Sequence, residues 1–364
     1  MRKLFFLLGS MNVGGVEKSF LGLLSTLSLQ ENEVHVGLLQ IKGGLLPLLP
    51  EEVQVHEISA YQHYWNLIND PPLWHIKRQL KSLHWIDAFV HLLLYIHFKL
   101  TGSRYWFYRW LLRHEPIMDG EYDVAVAFAG PWQMIDYYIC EKVQAKEKWG
   151  WIHFDVSKFG IDRGMTKRLY RNYKQIYIVS EAAKQVFDNM FPQFHNKTVV
   201  RYSIVNKEAV LKLGEEGPTF TDDYQGIRIL TVGRVSEEKG QRLALDTLKL
   251  LMNKGYNVRW YFVGEGKDLD LCRCLAKEMG LSDDAQFLGL QMNPYGFMRN
   301  CDIYVQPSMH EGFCITLAEA LCFNHPIVCT RFTGAEEQLK GRQECKVTDF
   351  TPEALAEEIE HFLS

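Results

Sequence analysis

No Cys-x-x-Cys pair occurs anywhere in this 364-residue chain. Its eight cysteines are scattered, seven of them from Cys272 onward, with Cys272 and Cys274 the nearest neighbours. Such spacing offers neither a zinc-ribbon ligand set nor a disulfide framework, so buried thiols in a reducing, cytosolic compartment are expected. Long hydrophobic runs are missing too. Nothing uninterrupted is long enough to cross a bilayer, and the apolar run LFFLL in MRKLFFLLGS is too short for the core of a secretion signal. It reads instead as a first buried strand. Nor is there an excess of positive charge: a net charge of −4 gives no reason to expect nucleic acid as a partner. A Gly-x-Gly-x-x-Gly dinucleotide fingerprint is absent, since the glycine pair in MNVGGVEKS, Gly14 and Gly15, has a different spacing.

What is present is the composition of a globular protein, 47% hydrophobic and 23% charged, at a length that predicts about two domains. Short apolar runs alternate with longer amphipathic ones. KLFFLLG, VHVGLLQ, YDVAVAFAG, KWGWIHFD and QIYIVS read as strands, with helices at VEKSFLGLLSTLS and EAAKQVFDNMF. A second series starts near residue 226, with strands at IRILTVGR, VRWYFVGEG, AQFLGL, CDIYVQPS and HPIVCT and helices between them. Continuously apolar strands alternating with helices indicate parallel sheets covered on both faces. The fold class is therefore α/β with two Rossmann-like, doubly wound domains, residues 1–203 and 204–364. The polar stretch at 215–226 is read as a linker or surface loop, with the hinge placed near Tyr202 to Val205. The last helix, TPEALAEEIEHFL, is a candidate to pack back toward the first domain.

Residues 70–115 break the rhythm. Between 74 and 113 stand Trp74, Trp85, Trp106 and Trp110 with six further Phe or Tyr residues. Seven basic residues (Lys77, Arg78, Lys81, Lys99, Arg104, Arg109, Arg113) face one acid, Asp87. The spacing is helical. Two readings stand: a helical insertion packed on the first domain, or an amphipathic surface for anionic lipid head groups. The histidines in and beside it (His75, His84, His91, His97, His114) have no acid-rich or cysteine company that would make a metal site.

Chemistry concentrates in HEGFCITLAEA, residues 310–320, where Glu311 and Glu319 are separated by seven residues. A strand ends, a short loop carries Glu311 and Gly312, and a helix starts near Cys314. In open α/β sheets ligands bind beyond the carboxyl ends of the strands. The helix start offers N–H groups for a phosphate, Gly312 lets backbone approach closely, and Glu319 can accept hydrogen bonds from vicinal hydroxyls. Asp268-Leu269-Asp270 opens a helix, and there acids suit the first turn better than a metal.

With its flanks, PSMHEGFCITLAEALCFNHPIVCT resembles the signature of the retaining glycosyltransferases of family four, which have the GT-B fold. ILTVGRVSEEKGQRLALDTLKLL, WYFVGEG, AQFLGL and TRFTGAEEQL resemble further segments of that family, and MNVGGVEKSFLGLL its glycine-rich first loop. The resemblance spans nearly all of the second domain, only the start and the WGWIHFD region of the first, and not residues 60–120.

The resemblance implies two domains facing a cleft and a nucleotide diphosphate sugar bound mainly by the second. Arg234 and Lys239 match the two cations on the donor diphosphate, Glu319 the ribose contact, and Glu311 the contact to the transferred sugar. Gly312 and Phe313 would offer backbone N–H groups, Gly264 and Leu290 would border the nucleotide, and Gly14 and Gly15 would approach the phosphates from the first domain. His153 matches a histidine beside sugar and acceptor, with Asp155 a weaker neighbour; Glu17 and Lys18 are either caps or site residues. The expected activity is that of a retaining hexosyltransferase. It would need no metal or cofactor, take a UDP-sugar by preference, and deliver it to a hydroxyl of a glycan or lipid-linked glycan. Capsule, exopolysaccharide or lipopolysaccharide synthesis at the inner face of the membrane would fit. The rivals are a GT-B sugar-nucleotide epimerase and an inactive glycan-binding scaffold subunit.

Overall fold

A computed structural model describes residues 1–363. The described residues form two compact units, one of residues 1–179 with 184–202, the other of residues 180–183 with everything from Ser203 onward. Each is built on an all-parallel sheet. The first holds β1 (Arg2–Leu8), β2 (Asn32–Leu38), β3 (Gln54–Glu57), β4 (Glu121–Gly130), β5 (Gln144–Ile152), β6 (Gln175–Ile178) and β7 (Thr198–Val200), in the order β3-β2-β1-β4-β5-β6-β7. The second holds β8 (Ile227–Val232), β9 (Val258–Val263), β10 (Ala285–Phe287), β11 (Ile303–Gln306), β12 (Ile327–Thr330) and β13 (Cys345–Thr348), in the order β10-β9-β8-β11-β12-β13.

Burial explains the apolar runs. In the second unit, Trp260 and Phe262 of β9 enter one core cluster while Tyr261 and Val263 enter the other, as the two-residue period of a strand covered on both faces requires. In the first unit Leu4 to Leu8 are all buried, and Phe20 of the helix Gly15–Leu24 locks onto Phe6 and Phe128 at ring distances of 5.3 and 5.2 Å. Both sheets reverse winding direction at one point. The chain leaves β1 toward β2 and β3 and returns to place β4 on the other side; it leaves β8 toward β9 and β10 and returns to place β11. Loops at such reversals splay apart and open a crevice at the carboxyl edge.

The final helix, Pro352–Glu360, packs into the second unit. Leu355, Ala356 and Ile359 lie in the core of the second unit, with Val328 of β12 and Leu248 of the helix Gln241–Asn253. Its only apolar stripe is committed there.

The departure from rhythm at 70–115 becomes three helices, Pro72–Lys81, Trp85–Thr101 and Tyr105–Leu111. Gly102, at φ 67°, ends the middle one through an N–H bond to the Phe98 carbonyl. The segment has two unlike faces. An inner face is buried: Ile76, Ala88, His91, Phe107, Tyr108 and Leu111. His91 stacks on Phe107 at 5.6 Å, and burial pushes its pKa down to about 4. The outer face stays apolar and exposed, with Ile86 and Leu100 each 81% accessible and Trp85 and Phe89 close behind. No helix of the described residues is long and apolar enough to cross a membrane.

Candidate functional site

At the reversal of the second sheet two loops are stitched together. After β8 comes GRVSEEKG, which makes a short 3-10 turn, Glu237–Lys239, before the helix Gln241–Asn253. After β11 comes PSMHEGFC. The Met309 N–H donates to the Glu238 carbonyl at 2.9 Å, and Gly240 sits at φ 74° so close to Pro307 that a Cβ would lie 1.8 Å from its carbonyl oxygen. Gln241, 2% exposed, braces the first loop from below: its Nε2 donates to the Arg234 carbonyl at 2.9 Å and its Oε1 accepts from the Ser236 N–H at 3.3 Å.

This stitching brings Lys239 and Glu311 into direct contact, Nζ to Oε1 at 2.6 Å. Burial pulls the ammonium toward neutrality, but the Glu311 carboxylate outweighs it and the pKa of Lys239 rises. It is a cation throughout the physiological range. The same Oε1 accepts from the Ser308 hydroxyl at 2.8 Å. Ser308 in turn accepts from Gln306 Nε2 at 2.9 Å, and Gln306 Oε1 takes two donors, Tyr304 at 2.7 Å and Thr316 at 3.1 Å. The direction of this buried chain is fixed. With two hydroxyls saturating its oxygen, Gln306 must turn its NH2 to Ser308, which leaves the Ser308 proton for Glu311. Arg234, by contrast, is exposed, and its guanidinium makes no hydrogen bond or ion pair to another residue among the described ones.

Glu319, on the helix Ile315–Ala320, is 3% exposed rather than a solvated helix acid, and Tyr295 donates its hydroxyl to Oε1 at 2.7 Å. Burial, then the carboxylate, drives the Tyr295 pKa far up, so it stays a donor. Gly312 is buried and Phe313 half-buried at the same turn. One expectation needs correcting: the start of this helix is not an open set of donors, because the Cys314 N–H already donates to Gln338 Oε1 at 3.1 Å. Gly264, at φ 144°, serves a backbone contact, since a Cβ there would meet the Gly233 carbonyl oxygen at 1.9 Å; Leu290, 45% exposed, follows Gly289 at the adjoining edge. Asp270 is almost fully exposed in the first turn of its helix, and no three His, Cys, Asp or Glu side chains among the described residues could together hold a metal ion.

The remaining expected residues lie in the first unit. Gly14 is the extended N-cap of the helix Gly15–Leu24, and a Cβ on Gly15 would meet nothing within 4 Å. His153 follows β5, its ring parallel to Trp151 and 4.7 Å from Phe128. Burial drives its pKa down to about 3 against an opposing bond with the Phe128 backbone, so the imidazole is neutral. Its Nε2 is buried with no hydrogen-bond partner among the described residues. Asp155 caps its own turn, accepting from the N–H and hydroxyl of Ser157 at 2.9 and 2.7 Å.

Sequence reasoning misses Gln241, Gln306, Ser308, Tyr295 and Gln338. A signal exists for one of them: Gln306 ends the strand IYVQ where the pattern expects an apolar residue. The others are ordinary polar residues; the partners of Tyr295 and Gln338 lie 24 residues away.

Residues 222–364 match the family model described as glycosyl transferases group 1. Among curated proteins the chain is similar to an uncharacterized glycosyltransferase of Methanocaldococcus jannaschii, 25% identical over 45% of this chain and 41% of that protein. It is also similar to N-acetylgalactosamine-N,N'-diacetylbacillosaminyl-diphospho-undecaprenol 4-alpha-N-acetylgalactosaminyltransferase of Campylobacter jejuni, 28% identical over 41% and 39%. These matches span about two-fifths of the relatives' own length. Among solved structures, Anabaena HepE with UDP and glucose superposes with a TM-score of 0.69 at 17% identity, covering 99% of this chain and 89% of that one. Staphylococcus aureus TarM, in complex with UDP and other ligands, gives 0.67 at 12%, covering 100% and 93%. At these identities the structures speak to the fold, which is GT-B.

Proposed function

We propose that the chain, whose residues 222–364 match the family model of the glycosyl transferases group 1, is a retaining, metal-independent transferase. It moves a sugar from a nucleotide diphosphate, UDP by preference, to a hydroxyl of a glycan or lipid-linked glycan. The observation that carries the reading is the convergence of the loops after β8 and β11, which supply Arg234, Lys239, Glu311, Gly312 and Phe313 at one sheet reversal.

When the bond between the anomeric carbon and the β-phosphate oxygen breaks, negative charge develops on the diphosphate. Arg234 and Lys239, fixed before the reaction, stabilise that charge most in the transition state. Two such cations do the work that a divalent ion would otherwise do. The acceptor hydroxyl attacks from the face the diphosphate leaves, and its proton passes to the departing phosphate oxygen, which preserves the anomeric configuration. Glu311 holds hydroxyls of the transferred sugar, Glu319 the ribose hydroxyls, and the neutral His153 bonds a sugar hydroxyl through Nε2.

The UDP preference is supported by HepE having been crystallised with UDP and with UDP-glucose. A lipid-linked acceptor at the inner face of a membrane is supported by the diphospho-undecaprenol named in the Campylobacter relative and by the exposed apolar face of the three-helix segment.

The test is a UDP-sugar panel with and without chelator. A UDP-sugar raises the unfolding temperature, turnover survives EDTA, and the product keeps the donor's anomeric configuration. An inverted product or chelator-sensitive turnover overturns the corresponding part. Turnover without acceptor points to the epimerase, and UDP binding without turnover to the scaffold subunit.

A further inference from the structure

Beside the three-helix segment lie two adjoining cavities, both within the first unit. One is an apolar groove of about 540 Å³ floored by Val90, Leu93, Leu94 and Trp110, with Arg109 and Arg113 on its rim. The other, about 260 Å³, is polar and carries Lys167, Arg168 and Arg171 of the segment that follows β5. His97 and Trp106 line both and form the shared wall. Neither cavity contains a carboxylate among its lining residues.

The basic side chains are held but not neutralised. Arg168 stacks on Tyr105 at 3.9 Å and on Trp106 at 5.3 Å, Arg109 on Trp106 at 5.3 Å, and Arg113 on Trp110 at 4.9 Å. Stacking engages the guanidinium faces and leaves the in-plane N–H donors at the edge, the geometry that takes phosphate oxygens. Among the described residues none of Arg109, Arg113, Lys167, Arg168 or Arg171 forms an ion pair; Arg113 gives one bond to the Trp110 carbonyl. Two acids lie beside the polar cavity: Glu141 accepts from the Tyr105 hydroxyl at 3.1 Å, and Asp162 accepts from the Arg104 N–H at 2.6 Å and the Met165 N–H at 2.7 Å, clamping the two helices that frame the cavity.

We propose that the paired cavities bind the phosphate-bearing anchor of a lipid-linked acceptor, an isoprenyl diphosphate, with the chain in the groove and the diphosphate among Lys167, Arg168 and Arg171. This rests on the lipid-linked acceptor reading above. A tail alone explains the groove and a phosphate alone the cations; only a molecule carrying both on adjacent atoms fills the pair across one shared wall. The polar cavity includes Gly164, in the segment that follows β5.

Calorimetric titration of the full chain with farnesyl diphosphate tests this. It binds saturably, while farnesol and inorganic pyrophosphate each bind about tenfold more weakly or worse. The double variant Lys167→Ala/Arg171→Ala and the groove variant Leu93→Asp each weaken farnesyl diphosphate by about tenfold, with unfolding temperatures matching the parent. Pyrophosphate binding as tightly as farnesyl diphosphate overturns the proposal in favour of a free phosphate site. So do variants that bind like the parent. Adsorption to phosphatidylglycerol vesicles that farnesyl diphosphate does not displace reduces the surface to a membrane face and overturns it too. UDP-sugar turnover on the same preparations separates the two ideas: turnover without farnesyl diphosphate binding keeps the transferase and loses the pocket, and the reverse loses the transferase alone.

Discussion

The two sheets reverse direction by the same rule, yet the two reversals are chemically unlike. At the second, an ammonium and a carboxylate are held by a chain of hydrogen bonds, with an exposed guanidinium on the same loop. At the first, the helix Gly15–Leu24 opens on two glycines with the Glu17 carboxylate lying against Gly14, and the polar group next to the sheet edge, His153, is kept neutral by burial. Their carboxylates differ in the same sense. Glu311 is paired, whereas Asp136, buried behind β4 with Tyr173 donating to it at 2.6 Å, has its pKa raised to about 7 by desolvation. Shared topology says where a ligand sits; the loop chemistry says what it is.

Removing the charge at the second reversal should break the contrast most severely. Lys239→Ala is expected to lower kcat by about 100- to 1,000-fold, the usual cost of losing a donor aimed at developing charge, and initial rates against UDP-sugar measure it. An unchanged rate would remove Lys239 from the mechanism. A milder lesion, Ser308→Ala, deletes one link of the chain that aims Glu311. A loss of roughly 1 kcal/mol, about fivefold in kcat/KM, follows, with Gln306→Leu similar and the unfolding temperature distinguishing aim from fold.

For the first reversal the readout is pH. Asp136 has a folded pKa above its unfolded one, so its contribution is complete below about pH 3.8 and is lost as pH rises through about 7. The parent should lose about 1 kcal/mol of stability between pH 6 and 7 from this group, and Asp136→Asn should flatten that slope in urea titrations. A variant curve parallel to the parent's would contradict a protonated Asp136. The smallest effect belongs to His153, whose folded pKa lies below its unfolded one. Its contribution is present above about pH 6.5 and is lost as pH falls toward 3. Activity should therefore show no inflection near pH 6.5, and His153→Ala should cost about fivefold in kcat/KM, one neutral hydrogen bond. An inflection that vanishes in the variant would mean that His153 works as an acid or base.

The central strands are legible because burial on both faces forces an unbroken apolar run, as in KLFFLLG and VRWYFVG. Three of the four edge strands are not: β3, QVHE, is mostly exposed and spells no pattern, and β7 and β13 are as short or shorter. The helices Gln133–Lys142 and Lys207–Glu216 escape for a related reason. The first is buried nearly all round, and the second abuts the polar stretch that dominates its window. At the site, Glu311, Glu319, Arg234 and Lys239 are legible from their place after strands. What the sequence does not spell is the support. Tyr295 acts through a partner that only the folding of the unit brings near, and no local spacing encodes a hydrogen bond between residues 24 apart such as Tyr295 to Glu319.

At Gly240 two main chains run back to back with no room for a single methyl. Any side chain introduced there displaces the turn bearing the ammonium and the loop bearing its counter-ion together. A systematic alanine survey would therefore score this glycine as severely as the most damaging charged position, although it touches no ligand. For anyone redesigning sugar preference, the two strips are a single hinge-less part that must be exchanged whole.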